Sequence, residues 1–240
     1  MSLETYHKAE GIEIGLDEVG RGPPFGRLYT AGVVWPQDLN TDETKRLVKD
    51  SKKIRPGEEM RVSYEYVMKH AIHQAVDYAT VPEVEQLGPL HADMLSMHRV
   101  LDKIWGTNGE LSDPRILVDG NYFTDYYAPE STMDTKPVSH VTVVKGDSKY
   151  YSIAAASILA KYSRDQYILE LIKSHPELDA RYGIRNNKGY LTKRHTEGIE
   201  TYGITEFHRR KYKCCTGRPI TYIKPRPRVV ITRRIFRGDV

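Results

Sequence analysis

Two adjacent carboxylates stand where this chain is most suited to chemistry. Asp17 and Glu18 end an apolar run and come just before the tripeptide Gly20-Arg21-Gly22. Neighbouring carboxylates at a strand end are costly unless a cation binds them. A glycine lets the backbone approach a ligand that a Cβ would keep away. The segment therefore predicts a divalent metal ion next to a phosphate group.

Two further acids follow short apolar runs. Asp119 ends the run Ile116–Asp119, and Asp147 comes shortly after the run His140–Val144; both have a glycine beside them. Adjacent strand ends meet at one edge of a mixed α/β sheet, so these carboxylates would share one place and need a counter-charge. Two Mg²⁺ ions about 3.5–4 Å apart supply that charge and can clamp a scissile phosphate. An isolated Asp-Gly pair is more often a turn, but the combined pattern favours the metal site.

Regular apolar spacing predicts the elements that must position these acids. Strands are predicted at Ile12–Asp17, Leu28–Trp35, residues 71–80, Ile116–Asp119 and His140–Val144. Helices are predicted at Glu58–His70, Leu90–Trp105, Tyr150–Lys173 and Thr192–Tyr202. The first two strands should form a hairpin, and the small residues at 154–160 should let the third helix approach the sheet closely. The prediction is an α/β fold: a mixed five-stranded sheet flanked by helices, with a C-terminal helical and basic extension.

Charge is distributed unevenly along the 240 residues, whose net charge is +4. Residues 181–240 hold 16 Lys and Arg against 4 Asp and Glu, a net charge of +12, which leaves residues 1–180 at −8. This asymmetry predicts a polyanionic partner such as nucleic acid; a solvated surface is the alternative. There is no apolar run long enough to span a membrane and no secretory signal, and Cys214 and Cys215 are adjacent. These features predict a cytoplasmic protein with reduced thiols.

Seven sequence blocks, taken in order, resemble ribonuclease HII, the type 2 ribonuclease H. The blocks are Asp17–Pro23, Asp50–Lys53, Val118–Asn121, Lys145–Ser148, Ser152–Lys161, Lys188–Tyr190 and His208–Arg210. The resemblance extends over about residues 11–210. Arg21 occupies the middle of a Gly-X-Gly loop in which the type 3 enzyme has lysine, so type 2 is favoured. The segment Val118–Asn121 is absent from the three-subunit eukaryotic enzyme, so the resemblance favours a bacterial-like single-chain form.

The resemblance implies a ribonuclease H-like fold and an endonuclease that hydrolyses the RNA strand of RNA–DNA hybrids. It also implies cleavage on the 5′ side of a ribonucleotide embedded in duplex DNA, leaving 3′-hydroxyl and 5′-phosphate ends. The implied cofactors are two Mg²⁺ or Mn²⁺ ions in each active site with substrate. The implied role is removal of misincorporated ribonucleotides and RNA primers by a monomer.

The same resemblance assigns site residues. Four acids match the family's catalytic metal ligands: Asp17, Glu18, Asp119 and Asp147. The loop Gly20-Arg21-Gly22 matches the segment that reads the 2′-hydroxyl beside the cut, and Tyr190 matches its partner at the RNA–DNA junction. The physics agrees, because the 2′-hydroxyl is the local mark that separates RNA from DNA.

Further substrate contacts are predicted at Lys52, Ser148, Lys188 and Arg209. Lys52 should contact a backbone phosphate, with Lys53 as the alternative. Arg164 is a similar candidate, or else one half of a helix-face pair with Asp165. The segment His208–Arg210 either binds phosphate or packs structurally.

Departures from the family pattern leave other interpretations open. Phe25 and Arg27 follow the Gly-Arg-Gly loop and could change the approach to the duplex, and Asn187 replaces a common histidine. The segment Thr124–Pro137 lengthens the spacing between Asp119 and Asp147 and either borders the substrate groove or is a surface insertion. The predicted organisation is a catalytic domain over 1–210 and a basic tail over 211–240, which could hold duplex, dock on the domain or be disordered. The alternative function is a catalytically altered ribonuclease H-fold protein that only binds nucleic acid.

Overall fold

The computed structural model describes residues 3–108, 111, 113–129 and 136–223. Five strands are present: β1 Ile12–Val19, β2 Leu28–Val34, β3 His73–Ala79, β4 Pro114–Asp119 and β5 Ser139–Val143. The helices are α1 Asp42–Leu47, α2 Glu58–His70, α3 Val81–Leu87, α4 Pro89–Asn108, α5 Tyr151–Ser174, α6 Pro176–Tyr182, α7 Ile184–Asn187 and α8 Lys193–Tyr202. Every predicted strand and helix is confirmed within a few residues. Sequence periodicity missed the helices of seven residues or fewer, because they contain too few turns to display it.

The five strands form one mixed sheet in the order β3-β2-β1-β4-β5. β1 pairs antiparallel with β2, which pairs antiparallel with β3, so the predicted hairpin is confirmed. β1 pairs parallel with β4, and β4 pairs parallel with β5. Because β1 and β4 run in the same direction, the acids at their carboxyl ends reach the same edge of the sheet.

One face of the sheet is covered by α5, whose amino-terminal half approaches β1 closely. A Cβ at Gly15 would overlap the backbone of Ser152 and Ile153, so glycine is required at that point of β1. The small residues Ala154, Ala155 and Ala156 are fully buried against the sheet, as predicted. This close approach brings Ser157 next to Asp17.

The other face is covered by α4. Met97, Leu101 and Ile104 pack against Ile14 and other apolar side chains of β1 and β4. The described part of the predicted insertion packs on this helix as well, because Tyr126 Oη donates a 2.9 Å hydrogen bond to Asp102 Oδ1. Residues 130–135 of the insertion lie outside the described residues.

The C-terminal helices form a separate cluster around Phe25. Ile168, Tyr182 and Ile199 belong to this buried cluster, and so does Cys215 from the segment after residue 210. Ile204 also forms a bridge with Ile220, so residues 211–223 dock on the domain. The rest of the predicted tail, residues 224–240, lies outside the described residues. Within the described part of the chain, no helix is long and apolar enough to cross a membrane.

Candidate active site

Three of the four predicted acids form a compact cluster at the carboxyl ends of β1 and β4. One carboxylate oxygen from each of Asp17, Glu18 and Asp119 lies within 4.8 Å of the other two. Asp17 is 4% exposed, whereas Glu18 and Asp119 are half-buried. The backbone N–H of Gly146 donates a 2.6 Å hydrogen bond to Asp119 Oδ1, which fixes that carboxylate at the end of β4. Hard oxygen donors grouped in this way suit a divalent cation such as Mg²⁺ or Mn²⁺.

Each of these acids has a raised pKa. Burial raises the pKa of Asp17 well above its usual range, and the charges of Glu18 and Asp119 raise it further, against a hydrogen bond from Ser157. Burial also raises the pKa of Glu18, while the guanidinium of Arg21 lowers it. Burial raises the pKa of Asp119, which the hydrogen bond from Gly146 opposes. A bound cation would relieve the repulsion among these carboxylates, so the electrostatics of the cluster favour cation binding.

Asp147 stands beside this cluster but outside the three-acid group. It is buried in a short 3₁₀ turn, Gly146–Ser148, and its charge raises the pKa of Asp119. Lys52 Nζ lies 3.3 Å from Asp147 Oδ2, and its side chain is otherwise exposed. Asp147 is therefore close enough to add a fourth carboxylate to the site, with Lys52 as its present counter-charge. We call Asp17, Glu18, Asp119 and Asp147 the acidic edge.

The backbone of the Gly20-Arg21-Gly22 loop is held from beneath by two buried arginines. Gly20 has φ +92°, and a Cβ there would overlap the side chain of Arg164. The carbonyl of Arg21 accepts hydrogen bonds from Arg209 Nη1 at 3.1 Å and from Tyr212 Oη at 2.5 Å. Gly22 is exposed, and a Cβ there would meet nothing within 4 Å. The loop is thus fixed on its protein side and open on its solvent side.

Tyr190 stands on the same side of the cleft on an irregular segment. Its ring is 46% exposed and lies 5.8 Å from the Arg164 guanidinium. Gly189, at φ +84°, packs directly against Phe25. The Asn187 side chain accepts a 2.8 Å hydrogen bond from the Gly189 N–H, and the Asn187 carbonyl accepts a 2.9 Å bond from the Tyr190 N–H. We call Gly20, Arg21, Gly22 and Tyr190 the loop edge.

A pair of neutral histidines supports Tyr190 from the interior. The Thr205 N–H donates to His208 Nδ1, so in the neutral ring the proton is on Nε2. His208 Nε2 donates this proton to His195 Nε2 at 3.2 Å. His195 Nδ1 then donates to the Tyr190 carbonyl at 3.0 Å. Burial lowers the pKa of His195, and burial together with His195 lowers the pKa of His208 to about 3. Both rings are therefore neutral at physiological pH.

The loop edge and the acidic edge, except for Asp147, line one cleft of about 400 Å³. Eight of the predicted site residues line it: Asp17, Glu18, Gly20, Arg21, Gly22, Lys52, Asp119 and Tyr190. Ser148 is exposed and donates to the Lys145 carbonyl, and half-buried Lys188 precedes Gly189; neither lines the cleft. Arg209 is fully buried and bonds to the carbonyls of Gly26 and Arg21, an arrangement that favours the packing alternative for His208–Arg210.

The three departures from the family pattern also have defined places. Phe25 is fully buried beneath the loop edge, where it contacts His195 and His208. Arg27 is half-buried, and its guanidinium lies over the rings of Tyr78 and Tyr167 at 4.1 and 4.7 Å. Asn187 makes the turn that carries Tyr190. Phe25 and Arg27 are thus held by packing and Asn187 by hydrogen bonds, which the sequence pattern alone did not reveal.

Sequence reasoning missed several residues that shape the cleft. Tyr212 and the buried acid Asp93 both contact Arg21. Lys161 lines the cleft and is paired with Asp165 at 2.6 Å. No local motif marks Tyr212 or Asp93, because their contacts with Arg21 join segments that are far apart in the chain.

Comparison with known proteins agrees with this geometry. The family model described as ribonuclease HII matches residues 14–215. Among curated proteins, ribonuclease HII of Parabacteroides distasonis is 38% identical over 88% of this chain and 94% of its own length. Ribonuclease HII of Pelagibacter ubique is 36% identical over 84% of this chain and 95% of its own length.

Solved structures show the same fold at lower identity. The ribonuclease H2 of Pyrococcus horikoshii matches with a TM-score of 0.62 at 22% identity, over 85% of this chain and 95% of that one. A Bst-RNase HIII in complex with Mn²⁺ matches with a TM-score of 0.55 at 20% identity, over 80% of this chain and 63% of that one. The predicted ribonuclease H-like fold is confirmed. By its family match and its bacterial relatives, this chain belongs to the ribonuclease HII family of endoribonucleases.

Proposed function

We propose that this protein hydrolyses the RNA strand of RNA–DNA hybrids and cuts duplex DNA on the 5′ side of embedded ribonucleotides. Cleavage leaves 3′-hydroxyl and 5′-phosphate ends and serves the removal of misincorporated ribonucleotides and RNA primers. The observation that carries the proposal is the cleft itself. It combines an acidic edge suited to divalent cations with a glycine-rich edge suited to a sugar.

The donor set of the acidic edge supports Mg²⁺ or Mn²⁺ as the cofactor. Asp17, Glu18 and Asp119 supply closely grouped oxygen donors, and Asp147 stands beside them. Two ions bound there with substrate would activate a water molecule and stabilise the leaving 3′ oxygen. Lys52 lies at this end of the cleft and is exposed enough to contact a phosphate of the cut strand.

The protein's own residues orient the reaction. Asp119 is held by the Gly146 N–H and Asp17 by Ser157, so both carboxylates are pre-oriented before substrate arrives. In the same cleft, the open side of Gly22 lets backbone groups of the loop approach a ribose 2′-hydroxyl. Tyr190 presents an exposed ring that can stack on the next sugar and exclude a second hydroxyl there. Ser148 and Lys188 remain proposed phosphate contacts farther along the duplex.

We also propose that the protein acts as a monomer in the cytoplasm. Cys214 and Cys215 are free thiols, consistent with a reducing compartment. For the domain organisation, a catalytic unit over 1–210 with a basic tail over 211–240 remains our proposal. The docking of residues 211–223 supports a tail whose first part stabilises the domain.

The decisive experiment is cleavage of a DNA duplex that contains one ribonucleotide. We expect a single cut on the 5′ side of the ribonucleotide with Mg²⁺ or Mn²⁺ and none with EDTA. An all-DNA duplex of the same sequence is the control substrate and should remain intact. Binding of the ribonucleotide duplex without any cleavage in either metal would instead support the alternative of a catalytically altered binding module.

A further inference from the structure

A fully buried acid on α4 contacts the loop edge from outside the metal cluster. Asp93 lies near the start of that helix, and its Oδ2 is 3.4 Å from Arg21 Nη1. Its other oxygen, Oδ1, is buried and has no hydrogen-bond partner among the described residues. A buried carboxyl group with one bond is costly, so its contact with Arg21 calls for an explanation.

Arg21 is held between this acid and the acidic edge. Its Nη2 lies 3.2 Å from Glu18 Oε1, while its Nη1 points to Asp93. The side chain of Arg21 is nevertheless about half exposed. Without Asp93, the guanidinium would keep Glu18 as its described acidic partner, and Glu18 is also a proposed metal ligand. A second acidic partner therefore keeps Arg21 in place when the charge of Glu18 is taken up by a cation.

The position of the Arg21 side chain matters because its backbone belongs to the loop edge. The carbonyl of Arg21 is fixed by Arg209 and Tyr212, so the side-chain contact with Asp93 adds a second attachment at the same residue. Two attachments at one residue restrict rotation of the loop around Gly20 and Gly22. A displacement of about 1 Å at such a point can lower a rate by on the order of 100-fold.

We infer that Asp93 is a positioning residue for Arg21, and that it fixes the loop edge for ribonucleotide cleavage. This inference rests on the proposed function of the loop. Asp93 itself is fully buried and does not line the cleft, so its effect must pass through Arg21. Its role should therefore disappear when the Arg21 side chain is removed.

The test is a double-mutant cycle measured on the single-ribonucleotide duplex. Asp93→Leu removes the acceptor at similar volume, and we expect kcat to fall about 10-fold with KM within about 2-fold, because a displaced loop slows the chemical step and leaves ground-state binding nearly unchanged. Asp93→Asn retains one acceptor oxygen and should lose less than about 3-fold. In an Arg21→Ala background, Asp93→Leu should change kcat by less than about 2-fold.

Ser96→Ala is the matched control, because Ser96 lies one turn farther along α4, is fully buried and bonds to Thr30 and not to the loop. Its kcat should equal that of the wild type, and thermal unfolding checks that each variant folds. An equal loss from Asp93→Leu in both backgrounds would overturn the inference, as would a wild-type kcat for Asp93→Leu where Arg21→Ala is impaired. If Arg21→Ala itself cleaves like the wild type, the Arg21 side chain does not position the loop and the role of Asp93 fails, whereas the proposed function fails only if the wild type does not cleave the single-ribonucleotide duplex.

Discussion

The acidic edge of the cleft is placed by neighbouring strand ends of one sheet, whereas the loop edge is held by side chains from outside the sheet. Asp17, Glu18 and Asp119 reach their positions because two parallel strands end side by side. The loop edge depends instead on two buried arginines. Arg164 from α5 donates to the carbonyls of Phe25 and Arg27. Arg209, from the segment after α8, donates to the carbonyls of Arg21 and Gly26. The candidate metal site is thus placed by the sheet, and the loop proposed to recognise the sugar is placed by tertiary packing.

The two edges also differ in the charge that lies behind them. The acidic edge gathers carboxylates whose pKa values are raised by burial and by one another. Behind the loop edge lie two buried guanidinium groups, Arg164 and Arg209, whose pKa values are lowered by burial. Clustered carboxylates attract cations, whereas the buried guanidinium groups add positive potential beneath the loop, so the two edges differ in the sign of the charge that lies behind them. Variants on each side should therefore fail in different ways.

The largest effect is expected at the acidic edge. Asp119→Asn should lower single-turnover cleavage by on the order of 10³-fold, because charge stabilisation by a bound metal is worth several kcal/mol. Binding of the ribonucleotide duplex, followed by fluorescence anisotropy, should change little because the loop edge is intact. Asp125→Asn is the control: this exposed acid follows the same strand and is only loosely paired with His140. Cleavage at the wild-type rate by Asp119→Asn would rule out a metal site built on this residue.

The next prediction distinguishes two roles for Arg209: stabilising the loop backbone or contacting a phosphate of the duplex. Arg209→Met leaves the Gly26 carbonyl without its Arg209 donor and removes one of two donors to the Arg21 carbonyl. We expect a loss of about 2–3 kcal/mol in the free energy of unfolding, measured with urea. The neighbouring Arg210, 61% exposed and paired with Glu85, is the matched control, and Arg210→Met should cost less than about 1 kcal/mol. Unchanged stability with weaker duplex binding in Arg209→Met would instead restore its predicted phosphate contact.

These two residues illustrate what could be predicted from the sequence. Asp119 ends an apolar run and precedes a glycine, so its strand and its place at the sheet edge follow from local pattern and strand direction. The sheet, its hairpin and the close approach of α5 follow in the same way, from periodicity and small residues. Arg209 shows the same sequence context whether it packs or binds phosphate, and only its burial beneath Gly26 decides between them.

Contacts across long stretches of chain were the part that the sequence could not supply. Asp93 lies on a helix whose sequence pattern is typical of a core helix. No local feature marks it as a partner of Arg21, from which it is separated by 72 positions in the chain. Asn187 was noticed as a departure, but its bond to the Gly189 N–H depends on a turn with left-handed backbone at both Lys188 and Gly189. Such positions become visible when the fold is known.

A lower pH should reduce the contribution of the two buried histidines to the free energy of unfolding, while it lessens the repulsion among the carboxylates of the acidic edge. His195 and His208 have lowered pKa values, so the native rings stay neutral while the unfolded chain gains protons below about pH 6.5. Their contribution to stability is therefore present above that pH and is lost as the pH falls below it. The carboxyl groups with raised pKa values act in the opposite direction, because the native state binds their protons first.

A variant isolates the histidine contribution. The free energy of unfolding is compared at about pH 7 and pH 5 with EDTA present. We expect it to fall more for the wild type than for His208→Gln, and the two losses should differ by at most about 2 kcal/mol. Urea unfolding at several pH values measures the difference, and the carboxyl contribution cancels because both proteins retain the acidic edge. Identical pH slopes for the two proteins would show that the buried histidine pair is not a source of acid sensitivity.

The smallest expected effect concerns selectivity at the loop edge. Tyr190→Ala should lower the preference for a ribonucleotide–DNA junction over a continuous hybrid by about 10-fold, because stacking of an aromatic ring is worth about 1–3 kcal/mol. Tyr190→Phe keeps the ring and should keep the preference. Tyr202→Ala is the surface control, since this tyrosine is 48% exposed, close to the 46% of Tyr190, but lies on α8 outside the cleft. Equal losses on junction and hybrid substrates would reduce Tyr190 to a general duplex contact, and junction reading would then rest on the Gly20-Arg21-Gly22 backbone alone.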